Sequence, residues 1–249
     1  MLTRHPLGQY QFLAGIDPYS CGVIACPGYE LIRIQLETPL DWRSGFDFVD
    51  RYLHGQGLAR EALCAMELRS PKPFSMSGFI EFNHGYREVL SDWNLLVGDI
   101  NPIARTNVAP WVHPPSDVAL HAFSFVRPSP KSVRPTFVVA GAGELREGTL
   151  ISEGIIRRGD TSADALLEKA RYVLNVMDDR LRGLGVGWDR VTAVNVYTVH
   201  PLTDPMRILL SDRIGLAARN GITWHITRPP VTDIEFEMDV RGLNCEQRS

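Results

Sequence analysis

Two stretches of alternating apolar and polar residues share one outline. Residues 117–127 read DVALHAFSFVR and residues 233–241 read DIEFEMDVR, so each begins with Asp and ends with Val-Arg. Such alternation is typical of a strand with one buried face. Two other alternating runs, residues 62–71 and 192–201, both end at a proline, which cannot donate a ladder hydrogen bond. The matched order predicts that the chain contains two copies of one module.

The first half is predicted to contain two helices among its strands. Apolar residues at helical spacing predict a helix around residues 45–55 and a longer one over residues 76–97, capped by Ser75 or Ser77. The predicted strands are a hairpin across residues 21–36, around Pro27-Gly28, and strands over 61–69, 103–108 and 117–126.

The second half is predicted to repeat this order. Its best-defined helix covers residues 162–184, with Thr161 or Ser162 as cap and with Gly183 and Gly185 at its end. The other predicted elements are strands over 136–142, 150–157, 190–199, 222–227 and 233–241 and a helix over 205–219. Each half therefore reads ββαβαββ, which predicts an α+β fold of two tandem modules, each a mostly antiparallel sheet with both helices on one face.

The chain length fits this division, because 249 residues are enough for two modules of ordinary size. A polar, proline-rich connector over residues 128–134 marks the predicted boundary, which gives a first module over residues 1–130 and a second over residues 131–249.

Composition narrows the class of protein. With 44% hydrophobic residues, 22% charged residues and a net charge of −3, the chain has enough apolar material for two cores and no basic patch that would favour nucleic acid. Neither a membrane-spanning run nor a signal peptide is predicted, so we expect a soluble cytoplasmic protein. The four cysteines lack metal or disulfide spacing, and the histidines are scattered. No dinucleotide motif or nucleophile elbow is present, which leaves a cofactor-free, metal-free hydrolytic or lyase site.

Specific motifs carry a resemblance to a known family. They are Asp17-Pro18-Tyr19 with Gly22-Val23, residues 82–86 (FNHGY), residues 103–108 (IARTNV), residues 137–144 (FVVAGAGE) and residues 233–237 (DIEFE). Together with the order of elements, they resemble the RidA/YjgF family of enamine/imine deaminases. The resemblance implies a chorismate-mutase-like fold, no cofactor and association as a homotrimer.

The resemblance also implies catalytic residues, which the two halves divide between them. The first half has the family's arginine, Arg105, but His121 at the position of its catalytic glutamate. The second half has that glutamate as Glu237, whereas residues 221–225, the counterpart of the arginine strand, contain no arginine. Either the modules share a site at their interface, or only one of them retains a working site.

The chemistry of these side chains suits a C=N substrate with a carboxylate. Arg105 offers a planar cation that holds both carboxylate oxygens, and a surface ion pair is its alternative role. Glu237 and His121 can activate water or deliver a proton. Alternatively, Glu237 lies on the solvated face of an edge strand and His121 is a hydrogen-bonded core residue.

Four more residues are candidates for substrate binding. Asn83 and Asn107 can hold a carbonyl, an amino group or water, although Asn83 equally fits a helix surface. Tyr19 can close the pocket or pack in a turn. Trp224 can stack on a planar substrate, although a place in the core or at the rim is the more ordinary role.

The resemblance implies a hydrolytic deaminase that converts an enamine or imine carboxylate to the oxo acid and ammonia. The predicted small carboxylate substrate is 2-aminomuconate-like or a 2-imino acid. The tandem form favours a dedicated, aminomuconate-like dicarboxylate over general imine clearance. Two alternatives remain at this point. One is a chorismatase-like enzyme acting on an enolpyruvyl group, with Arg105 on a carboxylate and Glu237 as proton donor, and the other is a non-catalytic binder of small acids.

Overall fold

Two β-sheets form the centre of the molecule, and each carries two helices on its outer face. The computed structural model describes residues 1–130 and 134–249. The helices are α1 (Trp42–Gly55), α2 (Met76–Asp92), α3 (Ala163–Gly183) and α4 (Asp204–Ile214). The strands are β1 (Leu2–Arg4), β2 (Tyr10–Leu13), β3 (Gly22–Ala25), β4 (Tyr29–Asp41), β5 (Leu63–Arg69), β6 (Ala104–Pro110), β7 (Ala119–Pro128), β8 (Phe137–Gly143), β9 (Ala193–Tyr197), β10 (Thr223–His225), β11 (Thr227–Arg228), β12 (Glu237–Gly242) and β13 (Glu246–Arg248). The α+β class predicted from the sequence is confirmed.

The helices form where the apolar spacing predicts them. The Ser75 hydroxyl caps α2 by accepting from Gly78 N–H, and the Ser162 hydroxyl caps α3 by accepting from Ala165 N–H. Helix α2 ends at Asp92, five residues before its predicted end, because Asn94 adopts the left-handed conformation (φ 57°). These caps and the buried apolar stripes fix the helices against their sheets.

Four strands of one sheet are arranged in the same order as four strands of the other. The seven-stranded sheet has the order β1-β2-β3-β8-β12-β9-β10, and the six-stranded sheet has the order β11-β6-β5-β7-β4-β13. The cores β6-β5-β7-β4 and β10-β9-β12-β8 correspond strand for strand, and the pairs β5/β6 and β9/β10 are both parallel. Each core with its two helices reads βαβαββ.

Two predicted strands differ from the structure. Residues 150–157 form a 3-10 turn (Ser152–Gly154) and one bridge between Leu145 and Ile155 in place of the predicted strand. Strand β12 begins at Glu237 and not at Asp233, because Asp233 has φ 72°.

The predicted hairpin over residues 21–36 is wrong, since its two strands enter different sheets. Strand β3 pairs with β2 and β8, whereas β4 pairs with β7 and β13. The turn at Gly28 (φ 83°) redirects the chain from one sheet to the other. Thr136 joins both strands, since its carbonyl accepts from Ala25 N–H and its hydroxyl from Leu31 N–H.

The halves also exchange short edge strands. Strands β1–β3 lie in the sheet of the second half, while β11 pairs with β6 and β13 pairs with β4 in the sheet of the first half. The predicted strand over residues 222–227 is thereby divided between the sheets. The boundary between residues 130 and 131 stays a prediction, and residues 131–133 of the connector lie outside the described residues.

The inner faces of the two sheets pack on each other. Their shared apolar cluster contains Tyr10, Phe12, Val23 and Ala140 from one sheet and Leu31, Cys64, Ala65, Ala104 and Val126 from the other. Two buried hydrogen bonds of the Thr106 hydroxyl cross this layer: it donates to Oδ2 of Asp239 at 2.9 Å and accepts from Gly141 N–H at 3.1 Å. None of the helices in the described residues is long and apolar enough to cross a membrane.

Candidate active site

A cavity of about 270 Å³ lies where the two sheets meet, and both halves of the chain supply its walls. Arg105 and Asn107 come from β6, the segment 141–143 from β8, and Glu237 from β12. Helix α3 contributes Arg180. The arginine and the glutamate that the sequence divides between two halves therefore line the same space.

Arg105 is a buried cation held between aromatic rings. Its Nη2 donates to Oδ1 of Asn83 at 2.6 Å, and its guanidinium carbon lies 4.6 Å from the ring centre of Tyr86 and 5.3 Å from that of Tyr19. Burial lowers the pKa of Arg105, but a guanidinium remains charged at neutral pH. Its Nη1 has no hydrogen-bond partner among the described residues. An unpaired donor on a buried cation is suited to receiving an anion from the cavity.

The two candidate asparagines have different places. Asn83, on α2, stands behind Arg105 and outside the cavity lining, so it orients the guanidinium. Asn107 lines the cavity; its Oδ1 accepts from the Ser70 hydroxyl at 2.9 Å, while its buried Nδ2 has no partner among the described residues. A lining residue therefore carries an unpaired, buried N–H group.

Glu237 is a buried carboxylic acid in the lining of the same cavity. Burial, and next the nearby Asp239, raise the pKa of Glu237 well above its ordinary value of 4.5, while Arg180 opposes the shift. The acid therefore holds its proton at a pH where an exposed glutamate has lost it. A protonated acid in a cavity is suited to delivering a proton to a substrate.

A buried ion pair holds the chain just before Glu237. Lys169 Nζ contacts Oε1 of Glu144 at 3.0 Å, and both side chains are fully buried. The same carboxylate accepts from Glu235 N–H at 2.6 Å and from Phe236 N–H at 2.9 Å. These bonds fix the backbone from which Glu237 extends.

Tyr19 also lines the cavity, as predicted. Burial raises the pKa of its hydroxyl, while Arg180 and Arg105 lower it. The hydroxyl therefore stays neutral near both cations and can donate a hydrogen bond to a ligand.

Arg180 was not among the predicted site residues. Its Nε and Nη2 donate to Oε1 of Glu147 at 3.0 and 2.7 Å, and its Nη1 donates to the carbonyls of Ala140 and Gly141 at 2.9 and 3.3 Å. One signal in the sequence was available: Arg180 lies three residues after Met177 on the apolar stripe of α3, where an unpaired charge is unfavourable.

His121 and Trp224, which were also predicted as site residues, lie outside the lining of this cavity. Strand β7 belongs to the six-stranded sheet and carries His121 toward Arg69 and Glu67. Burial, and next Arg69, lower the pKa of His121 to about 3. Trp224 lies on edge strand β10, is 41% exposed and donates from Nε1 to the Thr198 carbonyl at 3.0 Å.

Comparison with known proteins finds a family whose model matches nearly the whole chain. A family model described as 2-aminomuconate deaminase CnbZ matches residues 2–247. The chain is 37% identical over 237 residues to the 2-amino-5-chloromuconate deaminase of Comamonas testosteroni, and the match covers 94% of each protein.

One solved structure shares the fold at low sequence identity. A chorismatase structure matches with a TM-score of 0.56 and 12% identity, covering 92% of this chain and 78% of that chain. A protein of unknown function from the Rid family of Yersinia pestis matches 47% of this chain and 83% of its own, with a TM-score of 0.30 and 16% identity.

Proposed function

Because the chain belongs to the CnbZ family of 2-aminomuconate deaminases, we propose that it hydrolyses a 2-aminomuconate-like enamine carboxylate to the 2-oxo acid and ammonia, without a cofactor. The observation that carries this proposal is the meeting of Arg105 and Glu237 in one cavity. Arg105 supplies a fixed positive charge, and Glu237 supplies a proton that can be transferred.

Arg105 binds the carboxylate next to the reacting carbon. Its unpaired Nη1 and the unpaired Nδ2 of Asn107 can both donate to the oxygens of this carboxylate. Asn83 keeps the guanidinium in place from behind. The substrate is thereby held with its C–N bond within the cavity that Glu237 lines.

Glu237 moves the protons of the reaction. Its acid form protonates the chain carbon of the enamine, which produces an iminium and leaves Glu237 as a carboxylate. The carboxylate takes a proton from water while the water oxygen bonds to the iminium carbon, giving a carbinolamine. Glu237 then protonates the nitrogen, ammonia leaves as the C–N bond breaks, and the hydroxyl proton returns to Glu237 as the C=O bond forms.

Ammonia release from 2-aminomuconate and from freshly generated 2-iminopropionate tests the proposal. We expect Arg105→Ala and Glu237→Gln each to reduce kcat/KM by at least about 100-fold. Arg60→Ala, at an exposed ion pair with Asp50, is the control and should retain wild-type activity. Wild-type protein that releases no ammonia above the spontaneous rate contradicts the proposal.

A separate assay with chorismate examines the two alternative functions. Pyruvate release from chorismate, with no ammonia release from either nitrogen-containing substrate, would favour enolpyruvyl hydrolysis by Arg105 and Glu237. The absence of product from all three compounds would favour a binding protein.

We also propose that the two corresponding strand cores arose as a tandem repeat and that the protein acts in the cytoplasm as a homotrimer. Analytical ultracentrifugation tests the trimer. The two inner sheet faces already cover each other within one chain, so their burial does not require association.

A further inference from the structure

We infer that Arg180 binds the second carboxylate of a dicarboxylate substrate and that Glu147 occupies this place until the substrate arrives. The inference rests on the proposed function, since it concerns the ligand of the same cavity. Arg180 then gives the cavity its preference for a dicarboxylate over a monocarboxylate.

The hydrogen bonds of Arg180 leave one edge of its guanidinium for a carboxylate. The carbonyls of Ala140 and Gly141 occupy Nη1 and fix the plane of the group. The remaining edge, made of Nε and Nη2, faces a single oxygen of Glu147. A carboxylate that places one oxygen on Nε and the other on Nη2 fits this edge better than the single oxygen of Glu147 does. Glu147 is therefore a partner that a ligand can replace.

Glu147 is weakly held compared with the arginine. Its side chain is 44% exposed, whereas that of Arg180 is 7% exposed. It belongs to the mouth loop, residues 145–150, which lines the cavity and turns at Gly148 with φ 77°. Displaced Glu147 enters water, while the buried Arg180 keeps an anionic partner. The exchange therefore avoids the penalty of an unpaired buried charge.

The charges of the cavity match two carboxylates. With Glu237 protonated and Glu147 displaced, Arg105 and Arg180 are the two buried cations of the lining. Both guanidiniums line this one cavity, and that of Arg105 lies 5.3 Å from the Tyr19 ring centre, so a single ligand in the cavity can reach both cations. A monocarboxylate fills only the place on Arg105 and leaves Glu147 on Arg180. The cavity therefore distinguishes the two ligand classes.

Calorimetric titration with two unreactive ligands tests this inference. The ligands are trans,trans-muconate and sorbate, which share a six-carbon diene and differ by one terminal carboxylate. We expect wild-type protein to bind muconate at least about tenfold more tightly than sorbate. Arg180→Gln should remove this preference and leave the affinity for sorbate within about twofold. Glu147→Gln should strengthen muconate binding about fivefold and leave sorbate unchanged.

Arg146→Gln is the matched control, because it removes one positive charge from the exposed mouth loop of the same lining. Equal wild-type affinities, or a preference for muconate that survives Arg180→Gln, would overturn the inference. A preference that Arg146→Gln removes as completely as Arg180→Gln would also overturn it. If Arg180→Gln does not fold, Glu147→Gln decides alone, since a muconate affinity no tighter than wild type contradicts displacement.

Binding and turnover separate this inference from the proposed function. Muconate preference without ammonia release would contradict the deaminase and leave the role of Arg180 intact. Ammonia release with no preference between muconate and sorbate would support the deaminase and reject the role of Arg180.

Discussion

The carboxylate of Glu237 rests against the backbone of Gly141, in the space that a Cβ atom at Gly141 would need. Glu237 pairs with Gly143 across β12 and β8, so Gly141 lies diagonally opposite on the same face of the sheet. The missing side chain at Gly141 is therefore part of what positions the proposed acid.

Gly141→Ala should move the acid without unfolding the protein. The added methyl group meets the end of a flexible side chain, so we expect kcat to fall about 10- to 100-fold and the free energy of unfolding to change by less than about 2 kcal/mol. Steady-state kinetics and urea denaturation measure both quantities. Gly55→Ala is the control, since its Cβ would meet nothing within 4 Å. Unchanged kcat in Gly141→Ala would show that the position of Glu237 does not limit the reaction.

Removal of the support behind Arg105 should weaken substrate binding. Asn83→Ala leaves Nη2 of Arg105 without its 2.6 Å partner, and we expect about a tenfold loss in kcat/KM. Arg105→Lys should lose more, because an ammonium cannot bond both carboxylate oxygens in a plane. A lysine variant with nearly full kcat/KM would exclude a planar carboxylate contact.

Deamination should decline as the pH rises through the raised pKa of Glu237, because the proposed mechanism begins from the acid form. The same raised pKa makes the folded state bind more protons than the unfolded state. Wild-type stability relative to Glu237→Gln should therefore fall as the pH rises above about 4.5, by about 1.4 kcal/mol for each unit between the folded and unfolded pKa values.

Urea denaturation of wild-type protein and Glu237→Gln across this pH range measures the difference. Glu153→Gln removes a carboxylate from an exposed turn and is the matched control. A stability difference that is constant with pH would mean that Glu237 is not a buried acid.

His121 should be dispensable for the reaction. Because its pKa is lowered to about 3, it is neutral at physiological pH, and it lies beside Arg69 and outside the cavity. We expect His121→Gln to keep ammonia release within about twofold of wild type. In the folded protein, its proton NMR signals should not titrate between pH 5 and 8. Since the unfolded chain binds a proton near pH 6.5 and the folded chain does not, this residue reduces stability as the pH falls from 6.5 toward 3.

Loss of the buried cation Lys169 should destabilise the protein. Lys169→Met leaves the fully buried carboxylate of Glu144 without a charge partner, which typically costs about 3–5 kcal/mol in the free energy of unfolding. We expect kcat to fall as well, because Glu144 holds the backbone of Glu235 and Phe236. Arg182→Met, at an exposed ion pair with Asp179 on the same helix, should have little effect on either quantity.

The sequence predicts the local elements well and the pairing between distant strands poorly. Periodicity and caps predicted all four helices, because these depend on neighbouring residues such as Ser162 and the stripe that follows it. The exchange of β11 and β13 between sheets depends on partners more than 100 residues away, so no local pattern indicates it.

The candidate site likewise contains residues that the sequence predicts and one that it does not. Motif resemblance predicted Arg105, Glu237, Asn107 and Tyr19, all of which line the cavity. It also predicted His121, which lies on β7, the counterpart of β12 in the other sheet, and outside this cavity. Arg180 was missed because its environment is created by tertiary packing, although its place on an apolar helix stripe was a visible anomaly.

The exchange of edge strands between the halves affects when the cavity can form during synthesis. Strand β13 pairs with Arg33–Gln35 of β4, and the bond between Thr106 and Asp239 joins positions 133 residues apart. At a ribosomal rate of about 5–20 residues per second, the strand with Glu237 emerges on the order of ten seconds after the strand with Arg105. During that interval the inner face of the first-half sheet lacks the second-half strands that cover it in the folded protein. The cavity is thus assembled after translation of both halves, and the nascent chain passes through a stage in which its arginine exists but its acid does not.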